Sequence, residues 1–369
     1  VSPAIPFADL RPGADDRDVL ASIERVLARG WYILGPELEA FEAEFAHASG
    51  ARHAIGVANG TDALTLLLRA AGIGSGDEVI VPALTAGFTA LSVIAAGAAP
   101  RIADVDARTL TLDPAACGAL LTPRVKAVMP VHLYGHPADL DPLRDFAAAH
   151  ALALVEDCCQ AHLATYKGRA VGTAGAGGAF SFYPTKNLGA LGDAGAVVTN
   201  DDRVASVIRR SRNGGQEPRH VHVEAGTNSR LDELQAAVLR ARLPRLPAMT
   251  DRRRAIARRY RERLSPVVTP LAERDAGHAY HLFPVRSSSR DALRAHLLAA
   301  GVETLIHYPV ALPDQPAFRA FAPAPCPVAS RAAGELLSLP LYPALTDAQI
   351  DHVIDAVNAF DDRRDRAGV

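Results

Sequence analysis

The stretch SFYPTKNLGALGDAG, from Ser181 to Gly195, holds a single lysine, Lys186, with no other charge until Asp193. A strand-like run precedes it and glycines follow. A lysine so placed is either an ordinary loop residue in water or a reagent, an amine that bonds a carbonyl carbon. Other residues have chemistry to offer beside it. Asp157 ends the apolar run LALVED, and alternation along a strand turns Glu156 to the opposite face. ANGTDAL puts Asn59, Gly60 and Thr61 at a helix start, where free backbone donors and a hydroxyl make an anion site, above all for phosphate. Ser181 places a second hydroxyl five residues before the lysine.

Singly, each feature has a plain reading as a helix cap, a turn residue or a surface lysine. Together they match the needs of pyridoxal 5′-phosphate. Its phosphate needs fixed donors, its ring nitrogen needs a carboxylate to stay protonated, and its aldehyde needs a lysine. Competing motifs are missing. GIGSGDE and GTAGAGGAF fail the dinucleotide-binding spacing, and neither a P-loop nor a GxSxG elbow occurs. No HExxH or paired Cys/His cluster suggests catalytic zinc, so no metal is expected, and His132, His136 and His162 are expected to be structural.

These residues need elements to hold them. TDALTLLLRAAG, TALSVIAAGA and DLDPLRDFAAAHA read as helices, and DEVIVP, PRIADVD, VKAVMPVHLYG and LALVED as strands. Short apolar strands between helices predict a mostly parallel sheet covered on both faces. GGAFSFYP and GAVVTN follow each other without a full helix, so mixed direction is expected there. Upstream, DRDVLASIERVLARG spaces Val19, Leu20, Ile23, Val26 and Leu27 as one helical stripe, with Gly30 as the C-terminal cap. The helical stretch from Leu231 to Leu264 is interrupted around Pro244 and Pro247. That interruption marks the expected boundary between a large cofactor-binding domain, residues 1–245 including the N-terminal helical segment, and a small α+β domain, residues 246–369. In the arginine-rich run, Ile256, Tyr260 and Leu264 form a buried stripe, leaving the arginines a solvated face rather than a nucleic-acid surface.

The 369 residues are 49% apolar and 22% charged, with a formal charge of -2, which gives no field for nucleic acid or acidic membranes. Four cysteines without CxxC spacing suit packing in a reducing cytoplasm. Neither a signal peptide nor a membrane span is expected.

At the residues already named, and in GVANGTDAL, VHLYGHPADLDPL, VEDCCQAHLA, GTNSRLDELQAAVL and GVETLIHYP, the chain resembles the DegT/DnrJ/EryC1/StrS nucleotide-sugar aminotransferases. These are vitamin B6 enzymes of the aspartate aminotransferase fold, PLP fold type I. The resemblance implies that Lys186 bonds the cofactor and shuttles protons, that Asp157 keeps the pyridine nitrogen protonated, and that Gln160 bonds the ring hydroxyl. It implies phosphate contacts from Gly60, Thr61, Ser181 and, from the other subunit of a homodimer, Asn228. Relatives that remove a hydroxyl carry histidine in place of Lys186, so transamination is implied. The donor is expected to be L-glutamate, passing through the pyridoxamine form of the cofactor.

SFYPTKNLGALGDAG is more like the enzymes that aminate C3 of a dTDP-linked 3-keto-6-deoxyhexose than those acting at C4, with Tyr183, Arg219, His307 and Tyr308 as sugar-nucleotide contacts. Amination of a C4-keto sugar or a cyclitol is the enzyme alternative. A non-catalytic cofactor-binding regulator is the alternative of another class. The chain departs from the family pattern at Ala86, where an aromatic residue usually stacks on the ring, which leaves Phe88 to stack, and at Pro313, where histidine is usual.

Overall fold

The computed structural model describes residues 5–10, 16–274 and 276–361. Its main sheet has the order β1-β9-β8-β5-β4-β2-β3. The strands are β1 (His53–Val57), β2 (Glu78–Pro82), β3 (Ala99–Ala103), β4 (Val125–Val128), β5 (Ala153–Asp157), β8 (Gly177–Ser181) and β9 (Gly195–Thr199). A small ladder of β6 (Thr165–Tyr166) and β7 (Arg169–Ala170) lies between β5 and β8 in the chain. Strands β3, β2, β4, β5 and β8 pair in parallel, while β9 runs against both its neighbours. The reversal falls at β8 and β9, where the missing helix predicted it.

Alternate residues of each strand serve opposite cores. Val79 and Val81 join one cluster and Ile80 another, and Val197 likewise opposes Ala196 and Val198. Helices α3 (Gly60–Ala70), α4 (Gly87–Ala96) and α7 (Asp202–Ser211) contribute to the first core, and α2 (Pro36–Ala48), the short α5 (Pro114–Cys117) and α6 (Leu140–Ala149) to the others. A sheet covered on both faces explains why its strands read as apolar runs.

Two local expectations differ from the structure. The run VKAVMPVHLYG does not form one strand. β4 stops at Val128, Val131 keeps one isolated bridge to Asp157, and a 3₁₀ turn with Tyr134 at φ +63° follows. Pro130 has no N–H to give a ladder, which accounts for the break. In α1 (Asp16–Arg29), Val19 and Val26 are buried and Gly30 closes the helix at φ +67°, but Leu20 and Leu27 are exposed. Helix α1 lies along α8 (Glu233–Arg242) and buries only the narrow face that meets it, Val19, Ser22 and Val26.

A 3₁₀ turn, Leu243–Arg245, separates α8 from α9 (Leu246–Arg263), with Pro247 in the first turn of the new helix. Beyond it, β10 (Thr269–Pro270), β11 (Phe283–Arg286) and β12 (Leu336–Leu339) form an antiparallel sheet. Helices α10 (Arg290–Ala299) and α12 (Asp347–Asn358) pack on its core together with Ile256 and Tyr260 of α9. Helix α11 (Pro327–Glu335) returns to the core of the main sheet through Ala329, Ala332 and Ala333.

Five of the seven arginines of α9, Arg252, Arg254, Arg259, Arg261 and Arg263, pair with protein acids. Arg252 pairs with Asp347 at 2.9 Å, Arg259 with Asp351 at 2.5 Å and Arg261 with Glu273 at 2.9 Å. Arg253 is buried and donates to the carbonyls of Tyr280, His281 and Leu341. Among the described residues, no helix is long and apolar enough to cross a membrane.

Candidate active site

The site forms where three strand ends converge, outside the carboxyl edge of the sheet. Strand β1 leads through Asn59 into α3, and the Asn59 side chain caps that helix by accepting from Asp62 N at 2.8 Å. Strand β5 ends in Asp157 and β8 in Ser181. A Cβ on Gly60 would lie 2.8 Å from Cys159 Sγ and 2.8 Å from the Ser181 Cβ. Only glycine lets the helix start come this close to both strand ends.

Glu156 and Asp157 point to opposite faces, as alternation requires. Glu156 is sealed in, accepting from Gly172 N at 2.7 Å and Ala174 N at 2.8 Å and lying 3.0 Å from His132 Nε2. Ala138 N donates to His132 Nδ1, so the imidazole proton is on Nε2 and donates to Glu156. Cys158 lies beside this pair, and the three side chains hold ligand-type atoms within 4.8 Å of one another. Hydrogen bonding already satisfies Glu156 and His132, so the cluster is a structural tie. His136 accepts from Arg274 N at 2.9 Å. His162 packs between Phe180 and Phe182, where burial pushes its imidazole down to about 3.

On the other face, Asp157 Oδ1 accepts from Cys159 N at 3.1 Å and Oδ2 from the Thr89 hydroxyl at 2.8 Å. Asp157 is 4% exposed and makes no ion pair among the described residues, although Lys186 lies close enough to feel its charge. A buried carboxylate without a counter-charge is costly unless a cationic partner arrives. The N–H of a pyridinium ring is such a partner.

Lys186 lies in the turn after β8, its N–H bonded to Tyr183 O at 2.8 Å. It is partly buried, and loss of water lowers its ammonium below the ordinary 10.5, with Cys159 and Asp157 opposing that shift. A Cβ on Gly189 would fall 2.5 Å from Pro184 O, so the glycine after the lysine serves a tight local turn.

Gln160 is fixed at both ends of its amide, accepting from Tyr134 N at 2.6 Å and donating to Tyr308 Oη at 2.9 Å. One Nε2–H stays available, so Gln160 meets a further partner as a donor. Tyr134 also donates its hydroxyl to His307 O, and burial raises the Tyr308 hydroxyl to about 12. The His307 ring lies 3.0 Å from Ser338 Oγ and is pushed down to about 4, first by burial and then by the charge of Lys186.

The structure thus gathers Lys186, Asp157, Gln160, Ser181, Gly60 and Thr61, with His307 and Tyr308 beside them. Other expected residues sit at the surface of the single subunit. Phe88 is 64% exposed and Tyr183 51%. Arg219 and Asn228 are exposed on the excursion between α7 and α8, which is closed at its base by the Asn213–Asn228 bridge. Pro313 lies in a 3₁₀ turn, Leu312–Asp314, whose Leu312 N–H donates to Ala83 O at 2.8 Å. Thr89, Thr85, Cys159 and Tyr134 were not foreseen. The i, i+4 spacing of the two threonines was the available signal for them.

The residues present fit pyridoxal phosphate on their own chemistry, with an unpaired buried carboxylate, a glycine-lined helix start and a partly dehydrated amine. The model of the DegT/DnrJ/EryC1/StrS aminotransferase family matches residues 14–358. The chain belongs to that family. A Streptomyces venezuelae dTDP-3-amino-3,4,6-trideoxy-alpha-D-glucose transaminase is 48% identical over 373 aligned positions, covering 99% of this chain and 98% of the relative. The Saccharopolyspora erythraea protein named erythromycin biosynthesis sensory transduction protein EryC1 is 48% identical over 362, covering 96% and 99%. The crystal structure of S. venezuelae DesV, in complex with a ketimine intermediate, superposes with a TM-score of 0.93 at 47% identity, covering 97% of this chain and 98% of that one. DegT/DnrJ/EryC1/StrS aminotransferases depend on pyridoxal phosphate, and this chain is an aminotransferase of that kind.

Proposed function

We propose that this aminotransferase moves an amino group from L-glutamate to C3 of a dTDP-linked 3-keto-6-deoxyhexose, in deoxyamino-sugar biosynthesis. The observation that carries the reaction class is Asp157, a buried carboxylate without an ion pair, close enough to Lys186 to oppose the lowering of its ammonium. The sugar is supported by the near full-length identity to a dTDP-3-amino sugar transaminase.

When bound, pyridoxal phosphate supplies an electron-drawing ring and an aldehyde carbon that accepts amines. Each chain residue then has a defined task. Asp157 keeps the ring nitrogen protonated. Gly60, Thr61 and Ser181 hold the phosphate, and Gln160 donates to the ring hydroxyl. Lys186, which loss of water biases toward the free amine, would carry a proton from Cα of the donor to the aldehyde carbon of the cofactor, and in the second half-reaction would deliver one to C3 of the sugar. His307, Tyr308 and Tyr183 line the way to the sugar, and Arg219 carries a charge suited to its phosphates.

The active unit is a homodimer with shared sites. Supporting this are the exposed apolar side chains Trp31, Tyr32, Phe88, Tyr183 and Leu191, of the kind a second subunit covers, and the outward placement of Asn228. Phe88 stacks on the ring only if that assembly turns it inward. The chain divides at residues 245 and 246, a division supported by the two sheets with their own cores. Free cysteines suit a cytoplasmic setting.

A DNA-binding regulator is the second reading, prompted by the name of the EryC1 relative. The ion pairs of Arg252, Arg259 and Arg261 weigh against it, because guanidinium groups held by Asp347, Asp351 and Glu273 are not offered to phosphate. Visible spectroscopy separates the two. Purified protein with cofactor should absorb at roughly 410–430 nm through its lysine-bound form, lose that band in Lys186→Ala, and be bleached by L-glutamate. A band without bleaching, together with a DNA gel shift, would favour the regulator. Product analysis by NMR with 3-keto and 4-keto dTDP-hexoses then decides the carbon, and amination at C4 alone would overturn the C3 assignment.

A further inference from the structure

Asp157 is gripped from two sides by groups far apart in the chain. The Cys159 N–H donates to Oδ1, and Thr89, 68 residues away in sequence, donates to Oδ2. A carboxylate ion only accepts, so the Thr89 proton is committed to Asp157. Thr89 Oγ1 also lies 2.9 Å from Thr85 Oγ1. With its own proton spent, Thr89 meets Thr85 as an acceptor, and Thr85 donates. The two hydroxyls therefore form a one-way chain from Thr85 through Thr89 to Asp157. The three side chains are 2, 2 and 4% exposed, so water does not compete for them. In such surroundings each link polarises the next.

The first turn of α4 makes this possible. Thr85 stands just before the helix and Thr89 one turn on, so both meet on one face. Phe88, next to Thr89, consequently points outward. The backbone of Asp157 is equally constrained, donating to Pro130 O at 2.9 Å and accepting from His132 N at 3.0 Å. Neither end of the Thr89–Asp157 bond is free to drift.

We propose that Thr89, backed by Thr85, is a positioning residue that fixes the rotamer and charge of Asp157, so that a free lone pair is offered to the ring N–H of pyridoxal phosphate. The inference rests on the aminotransferase reading and adds to it the group that sets its electron sink. A carboxylate that loses a donor holds a shared proton more tightly. In Thr89→Val the proton between Asp157 and the ring nitrogen therefore moves toward the carboxylate, and the ring draws electrons less well.

The test uses holoenzyme loaded with cofactor isotopically labelled at the ring nitrogen, read by NMR. Thr89→Val should move the nitrogen signal toward the unprotonated position and lower kcat by about ten- to a hundredfold, the range for one hydrogen bond to a charged group. Thr89→Ser should restore both, and Thr85→Val should show the same displacement at smaller size. A wild-type nitrogen signal in Thr89→Val overturns the proposal, whatever its turnover, because loss of activity alone would mark a packing role. If Thr89→Val does not fold, Thr85→Val decides, an unchanged signal overturning the chain and a displaced one supporting it. Bleaching of wild type by L-glutamate is recorded in parallel. Its failure would count against the proposed function, while the nitrogen signal, which needs bound cofactor but no turnover, still judges Thr89.

Discussion

Gly60 and Ser181 face each other so closely that a Cβ on the glycine would stand 2.8 Å from that of the serine. The start of α3 and the end of β8 are thereby joined into one cradle. Gly60→Ala must push Cys159 or Ser181 aside, and overpacking of this kind costs about 1–3 kcal/mol. Charged to the cofactor, that cost weakens its binding by about ten- to a hundredfold. Equilibrium titration of apoprotein with pyridoxal phosphate measures it, and wild-type affinity would show that the cradle does not hold the phosphate.

Subunit mixing tests the shared site. Lys186→Ala and Asn228→Ala proteins should each be poorly active, yet their mixed dimer contains one site with Lys186 and the partner's Asn228 both intact. Random exchange of subunits should restore about a quarter of wild-type activity, from half the dimers carrying one good site in two. No recovery after demonstrated exchange would place Asn228 in the same subunit's site or outside any site.

Glu156 belongs to stability rather than chemistry. In Glu156→Gln, an amide must face donors from Gly172, Ala174 and His132, so one bond becomes a donor–donor contact. Loss of about 1–3 kcal/mol in urea unfolding is expected. The visible spectrum of the holoenzyme should stay as in wild type, since the side chain points away from Asp157. A shifted spectrum with unchanged stability would reverse this assignment.

Acid should destabilise the protein through its buried imidazoles. His162 is held down to about 3 by burial, against an ordinary 6.5, and His278 and His281 are lowered in the same way. Between these limits the unfolded chain binds the proton and the folded chain does not. The contribution of His162 is therefore fully present well above pH 6.5 and is lost as pH falls toward 3, by about 1.4 kcal/mol per pH unit, and His278 and His281 act in the same direction. His162→Phe, which suits its aromatic neighbours Phe180 and Phe182, should lose less in thermal midpoint between pH 7 and pH 5 than wild type. An equal loss would show that His162 does not contribute.

Much of the site is legible in the chain because strand ends and helix starts are local features. LALVED sends Asp157 and Glu156 to opposite faces by alternation alone, and Asn59 announces the start of α3 by its capping side chain. The break at Leu243–Arg245 is likewise local, set by prolines. Periodicity overreached where a partner was needed to choose the face. Leu20 and Leu27 fit the α1 stripe, but α8 covers only the side carrying Val19 and Val26. VKAVMPVHLYG reads as one strand, but Pro130 ends the ladder and Tyr134 turns into a left-handed conformation.

Residue order therefore carries the reagents themselves, a lysine amine, a carboxylate, hydroxyls and a glycine-lined helix start, because each follows from spacing within a dozen residues. Which atoms meet is a matter of packing. Thr89 reaches Asp157 across 68 residues and Tyr308 reaches Gln160 across 148, through the parallel order of β2, β4 and β5 and the return of the C-terminal segment. Hydrogen bonds of that range form once the hydrophobic cores have fixed the distance between elements, and no local periodicity encodes them.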